Sequence, residues 1–301
     1  MYSAFLDSAK KFCPELKILK NEALSRHTSF RIGGPAALMV FPASEEELAF
    51  CLRTLSQLGK TPVILGAGTN ILAPDQGLDR VVICLKERFS RMERTGDVLL
   101  QAQAGASLAA AATAAMNAGL TGLEFAHGIP GTVGGGVYMN AGAYGGEMKQ
   151  VVHSVRYMDP DGIVTEIPGE EAGFGYRTSC FEGTDRIIVG AVFRLTPGDP
   201  QTIRETMTDL MQRRRASQPL ELPSAGSTFK RPVGGYAAAM IDEAGLKGLQ
   251  VGGAAVSQKH AGFVVNLGGA TAADVSAVID KVQQSVMENT GILLQPEVRI
   301  W

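Results

Sequence analysis

Cysteine is scarce in this chain. Four occur in 301 residues, and Cys13, Cys51, Cys84 and Cys180 form no C-x-x-C pair. That spacing excludes a zinc ribbon or a disulfide framework and fits reduced thiols. Histidine is equally rare, and none of the four stands at metal-ligand spacing from the cysteines, so no metal site is expected. No apolar run reaches the roughly 18 residues of a membrane span. The start, MYSAFLDSAKKF, has no apolar signal-peptide core, so the expected location is the cytoplasm. Neither sign of charge dominates: 28 basic against 30 acidic residues give a net charge of −2 and a pI near 6.1. Such a balance offers no basic field for nucleic acid. Any anionic ligand has to be held by local devices.

Glycine, by contrast, is plentiful, at 36 residues. Eight lie in HGIPGTVGGGVYMNAGAYGGEM, residues 127–148. Glycine in regular structure costs roughly 0.5–1 kcal/mol relative to alanine. So dense a run implies backbone in conformations closed to other residues, or backbone lying flat against something large.

The hydrophobic share of 45% and charged share of 19% are those of a globular protein, and the length suits two or three domains. AALMVFPASEEELAFCLRTLSQLGKTPVILGAGTNIL reads as strand, helix, strand. Ser44 and Glu47 open the helix as a capping box, Leu48, Cys51, Leu52, Leu55 and Leu58 form its apolar stripe, and Gly59 ends it. Cys51 on that stripe reads as core. DVLLQAQAG is a strand, and SLAAAATAAMNAG is a helix of small residues from Ser107 to Gly119, against which a neighbour must pack closely. VHSVRYMDPDGIVTEI is a hairpin turning at Asp159–Gly162, and RIIVGAVFRL is a further strand. Past TPGDP the pattern changes. An amphipathic helix with Ile203, Met207, Leu210 and Met211 inward ends in Arg213, Arg214 and Arg215. A proline-bounded loop PSAGSTFKRP, a short helix near 237–244, strands near 254–257 and 262–266, a long helix near 271–289 and a last strand ILLQPEVRIW complete the chain. Strands and helices mix in both halves, so the fold class is α+β or mixed α/β.

Two glycine segments invite a ligand. GAGTN (66–70) follows a strand, and the run at 127–148 follows the small-residue helix. Successive N–H groups on glycine backbone can converge on an anion as a nest. Each segment is otherwise a plain structural turn. GAGTNI is not a G-x-G-x-x-G fingerprint, because Ile71 occupies the third glycine position, and no P-loop occurs. Three side chains farther on stand in unusual settings: Arg177 in GYRTSCF, Ser227 in SAGSTFK and Glu297 in QPEVRIW. An arginine suits a substrate carboxylate, a loop serine suits proton donation, and a carboxylate on an apolar strand needs a partner. Their plain readings are an ion pair, a turn residue and an edge charge. AGSTF lacks the second glycine of a nucleophile elbow, which weakens a serine-hydrolase reading. Arg213–Arg215, Lys259 and His260 are either solvated side chains or ligand contacts. His127 reads as a satisfied loop histidine.

SFRIGGPA, ILGAGTNIL, GLEFAHGIPGTVGGGVYMNAGAYGGEM, YRTSCF, SAGSTFKRP and QPEVRI stand in this order. In that order they resemble the UDP-N-acetylenolpyruvoylglucosamine reductase family, a likeness running from about residue 20 to the C-terminus. The resemblance implies a two-lobed FAD-binding region of the vanillyl-alcohol oxidase type (1–85 and 86–198) and a C-terminal α+β substrate-binding domain (199–301). It implies non-covalent FAD at Gly66, Ala67, Gly68, Thr69 and Asn70, at Gly128, Ile129, Gly131, Thr132 and Gly134, and at Asn140, Ala141 and Gly142. It further implies NADPH as co-substrate and reduction of UDP-N-acetylglucosamine enolpyruvate to UDP-N-acetylmuramate by a monomer. Arg177 would hold the carboxylate, Ser227 would protonate the α-carbon and Glu297 would assist. Arg213, Arg214, Arg215, Lys259 and His260 would take the diphosphate and uridine. Larger members carry a tyrosine loop between the arginine and serine motifs. Only 50 positions separate Arg177 from Ser227 here, which implies the compact subtype. Two other readings remain: an alcohol oxidase of the same fold, and a non-catalytic sugar-nucleotide sensor.

Overall fold

The computed structural model describes residues 2–301. They form two compact units that are not collinear with the sequence. Residues 2–21, Ala37–Ala67 and Arg80–Gln212 make the first; Glu22–Ala36, Gly68–Asp79 and Arg213–Trp301 make the second. The class is mixed α/β, as expected. Eight α-helices occur among the described residues: α1 (Ser3–Phe12), α2 (Glu45–Gln57), α3 (Leu108–Asn117), α4 (Glu124–His127), α5 (Val133–Tyr138), α6 (Pro200–Ser217), α7 (Ala237–Glu243) and α8 (Ala272–Thr290). None is long and apolar enough to cross a membrane.

One sheet has the strand order Lys17–Ala23, Pro35–Phe41, Leu78–Cys84, Val63–Leu65. Its last two strands are parallel, with Val63 opposite Val82 and Leu65 opposite Cys84. Leu38 to Phe41 and Val81 to Cys84 are buried without alternation, the pattern of strands covered on both faces. Helix α2 buries Leu48, Cys51, Leu52 and Leu55, as its stripe predicts. Leu58 departs from that stripe and is 39% exposed, because it follows the last helical turn as the C-cap. The capping box is only half formed. Ser44 Oγ accepts from Glu47 N at 3.3 Å, whereas the Glu47 carboxylate reaches past the cap to Ala43 N at 2.7 Å. Cys51 lies in the core, where burial pushes its thiol well up, and burial pushes Cys84 up to about 11.

A second, antiparallel sheet in the same unit runs Val164–Pro168, Val152–Met158, Ile187–Arg194, Leu99–Gln103, Met92–Arg94. The expected hairpin is present: Asp159 Oδ1 accepts from Asp161 N and Ile163 N at 3.0 and 2.9 Å, and Gly162 has φ +77. Every residue from Ile187 to Phe193 is buried, as a central strand requires. One hydrophobic cluster links both sheets, from Phe5 through Val40, Ile83, Leu100 and Val189 to Ile203 and Met207 of α6. Leu210 and Met211 are only half-buried, so the inward face of α6 is narrower than the sequence suggests. The helix also runs past the three arginines, to Ser217.

The second unit holds the antiparallel sheet Ser224–Ser227, Phe263–Asn266, Ala254–Val256, Gln250–Val251. Helix α8 lays Val275, Val278, Ile279, Val282 and Val286 into a core with Phe229, Ile241, Val256, Val264 and Leu294. Its start is fixed twice: Thr271 and Asp274 form a reciprocal capping box, and Asp75 accepts from Ala272 N at 2.7 Å. Gly291 ends it at φ 72. The expected long C-terminal strand is reduced to Arg299–Ile300, paired in parallel with Ile71–Leu72. Before it, the chain forms only an isolated antiparallel bridge, Pro296 opposite Phe229. Lys230 N donates to Gln295 O, and Glu297 N to Thr228 O, both at 2.8 Å.

Candidate functional site

The glycine-rich run folds as α4, a bend, the short α5 and a tight hairpin between Gly142–Ala143 and Gly146–Glu147. Much of its glycine serves internal packing. A Cβ at Gly134 would lie 2.8 Å from Ala104 Cβ, one at Gly136 3.1 Å from Leu108 Cδ2, and one at Gly146 2.5 Å from the Phe125 ring. The small-residue helix α3 packs mainly against α4, and touches α5 at Leu108. The donors at the start of α5 are also engaged. Val133 N donates to Ala106 O and Gly134 N to Ala104 O, both at 2.8 Å, while Gly135 N donates to Thr132 Oγ1 at 3.3 Å.

Elsewhere in the first unit, main-chain donors are left over. Among the described residues, nothing accepts from the N–H groups of Gly66, Ala67, Gly131 or Thr132. Thr132 is only 2% exposed, so its N–H is shut away from bulk water. A buried N–H without a partner costs about 1–3 kcal/mol, a penalty a ligand oxygen would remove. The two loops touch: a Cβ at Gly66 would stand 2.6 Å from Thr132 Oγ1. Four N–H groups on two abutting loops form a donor set suited to the oxygens of a phosphate or similar anion.

The remaining candidates of these segments have other duties. Gly128 caps α4, and Ile129 N donates to Ala126 O at 3.0 Å. Asn140 is 1% exposed at φ 44, and its amide donates to Glu147 Oε2 and Gly175 O and accepts from Lys149 N at 2.9–3.0 Å. Ala141 N donates to Gly136 O and accepts, through its carbonyl, from Met148 N. The chain passes into the second unit between Ala67 and Gly68. There, a Cβ at Gly68 would stand only 2.2 Å from His27 O, so no larger residue fits. Thr69 is half-buried in the turn that follows, and Asn70 Nδ2 donates to Glu297 O at 3.0 Å.

Arg177 lies in the first unit, in a turn closed by a bridge between Gly175 and Thr178, with φ 56. A left-handed conformation is uncommon for a residue other than glycine, asparagine or aspartate, and marks a position held by its surroundings. Its Nη2 donates to Gly142 O at 3.3 Å and its guanidinium lies 5.3 Å from the Tyr176 ring centre. No sequence pattern announces this strain. In the second unit Ser227 is exposed at the end of its strand, after Gly226 at φ 76. The Glu297 main chain binds Thr228 O, the residue after Ser227, so the fold brings these two candidates onto neighbouring backbone.

Of the basic candidates, Lys259 and His260 are engaged within the protein. Lys259 Nζ donates to Arg215 O at 2.6 Å, at the end of α6, with Glu221 at 3.9 Å. Arg213 and Arg214 sit on the same last turns of that helix. His260 Nδ1 accepts from Gly262 N at 3.2 Å, its ring meets Phe263 edge-on at 4.9 Å, and burial lowers its pKa. His127 departs from the sequence reading. Its Nδ1 is buried without a hydrogen-bond partner, and burial lowers the pKa of the ring.

Comparison with known proteins adds to this geometry. Residues 36–167 match a family model described as an FAD binding domain, and residues 218–301 match one described as the C-terminal domain of UDP-N-acetylenolpyruvoylglucosamine reductase. A UDP-N-acetylenolpyruvoylglucosamine reductase of Exiguobacterium sibiricum is 46% identical over 94% of this chain and 92% of its own length. One of Caldanaerobacter subterraneus is 43% identical over 100% and 99%. The crystal structure of a UDP-N-acetylenolpyruvylglucosamine reductase from Thermus caldophilus superposes with a TM-score of 0.81 at 34% identity, covering 95% of this chain and 98% of that one. An alkyldihydroxyacetonephosphate synthase shares the fold over 65% of this chain at a TM-score of 0.50 and 20% identity.

Proposed function

This chain belongs to the UDP-N-acetylenolpyruvoylglucosamine reductase family, and from that membership we propose that it is the FAD enzyme that reduces the enolpyruvyl ether of UDP-N-acetylglucosamine to UDP-N-acetylmuramate for peptidoglycan. The observation that carries this reading is the set of unpaired N–H groups at Gly66, Ala67, Gly131 and Thr132. It fits FAD: two abutting loops offer neutral donors to a pyrophosphate, without lysine, in a chain of nearly balanced charge. Gly68, Asn70, Gly134, Asn140 and Ala141 then act mainly by holding those loops in shape. The two sheets of the first unit serve as the two cofactor lobes, and the C-terminal segment serves the substrate.

FAD, when bound, supplies hydride-transfer chemistry and is recharged by NADPH. The protein's part concerns charge and protons. Reducing an unsaturated carboxylate at its β-carbon drives negative charge through the α-carbon into the carboxylate. Arg177 meets that charge with a fixed guanidinium fork. Its Nη2 donates to Gly142 O, so the side chain is held before substrate arrives. Ser227 delivers the proton to the α-carbon, and Glu297, on neighbouring backbone, assists through a hydrogen bond or ion pair. The proposal extends to a cytoplasmic monomer whose partners are small molecules, with Arg213, Arg214, Arg215, Lys259 and His260 toward the sugar nucleotide.

The test is an absorbance spectrum of the purified protein, then NADPH oxidation with and without the enolpyruvyl sugar nucleotide. Ser227→Ala is expected to be bleached by NADPH at the normal rate yet to turn over about 10²–10⁴-fold more slowly. Equal turnover by variant and parent would remove Ser227 from the mechanism, and a colourless protein would remove the flavin.

A further inference from the structure

Among the buried side-chain atoms of the first unit's described residues, His127 Nδ1 is the one that pairs with nothing. Its neighbours are not short of partners. Ile129 N is taken by Ala126 O, and Asn140 is bonded on both sides of its amide. The ring closes α4, which packs against the hairpin strands Gly142–Ala143 and Gly146–Glu147. Gly131 is four positions on, so their Cα atoms lie at most about 14 Å apart, well within the length of a dinucleotide. A buried imidazole nitrogen is maintained where something completes its hydrogen bonding.

We propose that His127 is a further cofactor-positioning residue, whose Nδ1 hydrogen-bonds to bound FAD. This rests on the flavoenzyme reading above and adds a side-chain contact to a site otherwise built of main-chain donors. Burial keeps the ring neutral, so Nδ1 donates or accepts according to tautomer. The tautomer is therefore set by the atom that FAD presents.

The experiment measures FAD affinity rather than turnover. The full-length protein is stripped of flavin and titrated with FAD, following flavin fluorescence, for the parent, His127→Leu and His127→Asn. Asparagine keeps a polar atom close to the place of Nδ1, whereas leucine removes it. Leucine is expected to raise Kd about 3- to 10-fold, and asparagine to restore it to within about twofold. A leucine variant that binds FAD as tightly as the parent overturns the proposal and leaves Nδ1 to a water molecule. Should the leucine variant not fold, nitrogen NMR of the parent labelled at histidine decides. One Nδ1 signal, identified by its loss in His127→Asn, is expected to move on adding FAD, and a signal that stays fixed overturns the proposal. A parent that binds no FAD at all overturns the flavoenzyme reading itself, a result distinct from parent-like binding by the leucine variant.

Discussion

The loop Gly131–Thr132 and helix α5 directly after it are equally rich in glycine, yet they use it in opposite ways. In α5 the glycines let Ala104 and Leu108 approach, and every first-turn N–H has a protein acceptor. In the loop, and in Gly66–Ala67 beside it, the N–H groups are left without one. Glycine density therefore does not tell packing from binding; the proposed cofactor site rests on the donors that the fold leaves unpaired.

The comparison breaks most readily at Gly134. Gly134→Val would drive a branched side chain into Ala104, now 2.8 Å from the position of a Cβ. Overpacking of this kind costs about 1–3 kcal/mol, and β-branching in a short helix adds to it. Thermal unfolding of the flavin-free protein is expected to fall by several degrees, with little change in FAD affinity for the folded fraction. A large loss of affinity at unchanged stability would place Gly134 in the cradle instead.

Gly66→Ala asks the converse. Its Cβ would displace Thr132 Oγ1, the acceptor for Gly135 N, and shift the loop that carries two of the free donors. FAD Kd is expected to rise about tenfold, from the loss of one charge-assisted hydrogen bond, with a smaller change in melting temperature. Unchanged affinity would mean that the loops do not hold the pyrophosphate.

Sequence reading went far for regular elements and less far for the site. The stripe of α2, the hairpin at Asp159 and the start of α8 were legible because periodicity, turn residues and caps are local signals. The C-terminal strand was not, because its two halves pair with different partners, Pro296 with Phe229 and Arg299–Ile300 with Ile71–Leu72, which no local pattern announces. The contribution of Glu22–Ala36 and Gly68–Asp79 to the second unit was also hidden, since no local pattern says which core a segment joins. The two glycine segments stood out in the sequence, but not which of their donors the fold pairs and which it leaves over. Asn140 looks like a ligand in sequence and is fully bonded in the fold, while His127 looks ordinary and has a nitrogen left over.

Away from the site, helix α8 offers a control that should ignore the cofactor. Thr271→Ala removes the cap oxygen that accepts from Asp274 N. About 1 kcal/mol of stability is expected to be lost, equally with and without FAD. A loss that grows when FAD is added would tie this end of the second unit to cofactor binding.

The two half-buried histidines His127 and His260 sharpen the contrast at the smallest scale. His260 has its Nδ1 bonded to Gly262 N, its ring against Phe263 and Lys247 acting on it, and burial foremost lowers its pKa. The unfolded chain, with an ordinary histidine pKa of about 6.5, then binds more protons than the folded one as pH falls past that value. Stability contributed by the neutral ring is complete above about pH 6.5 and is lost progressively below it, toward the lower folded pKa. His260→Asn keeps an acceptor near Nδ1 and removes the titration. The flavin-free variant is expected to lose less of its urea midpoint than the parent between pH 7.5 and pH 5.5, whether or not His127 is intact. If FAD abolished the difference, His260 would belong with the cofactor-facing groups rather than those proposed for the sugar nucleotide, and the contrast between paired and unpaired polar atoms would have to move.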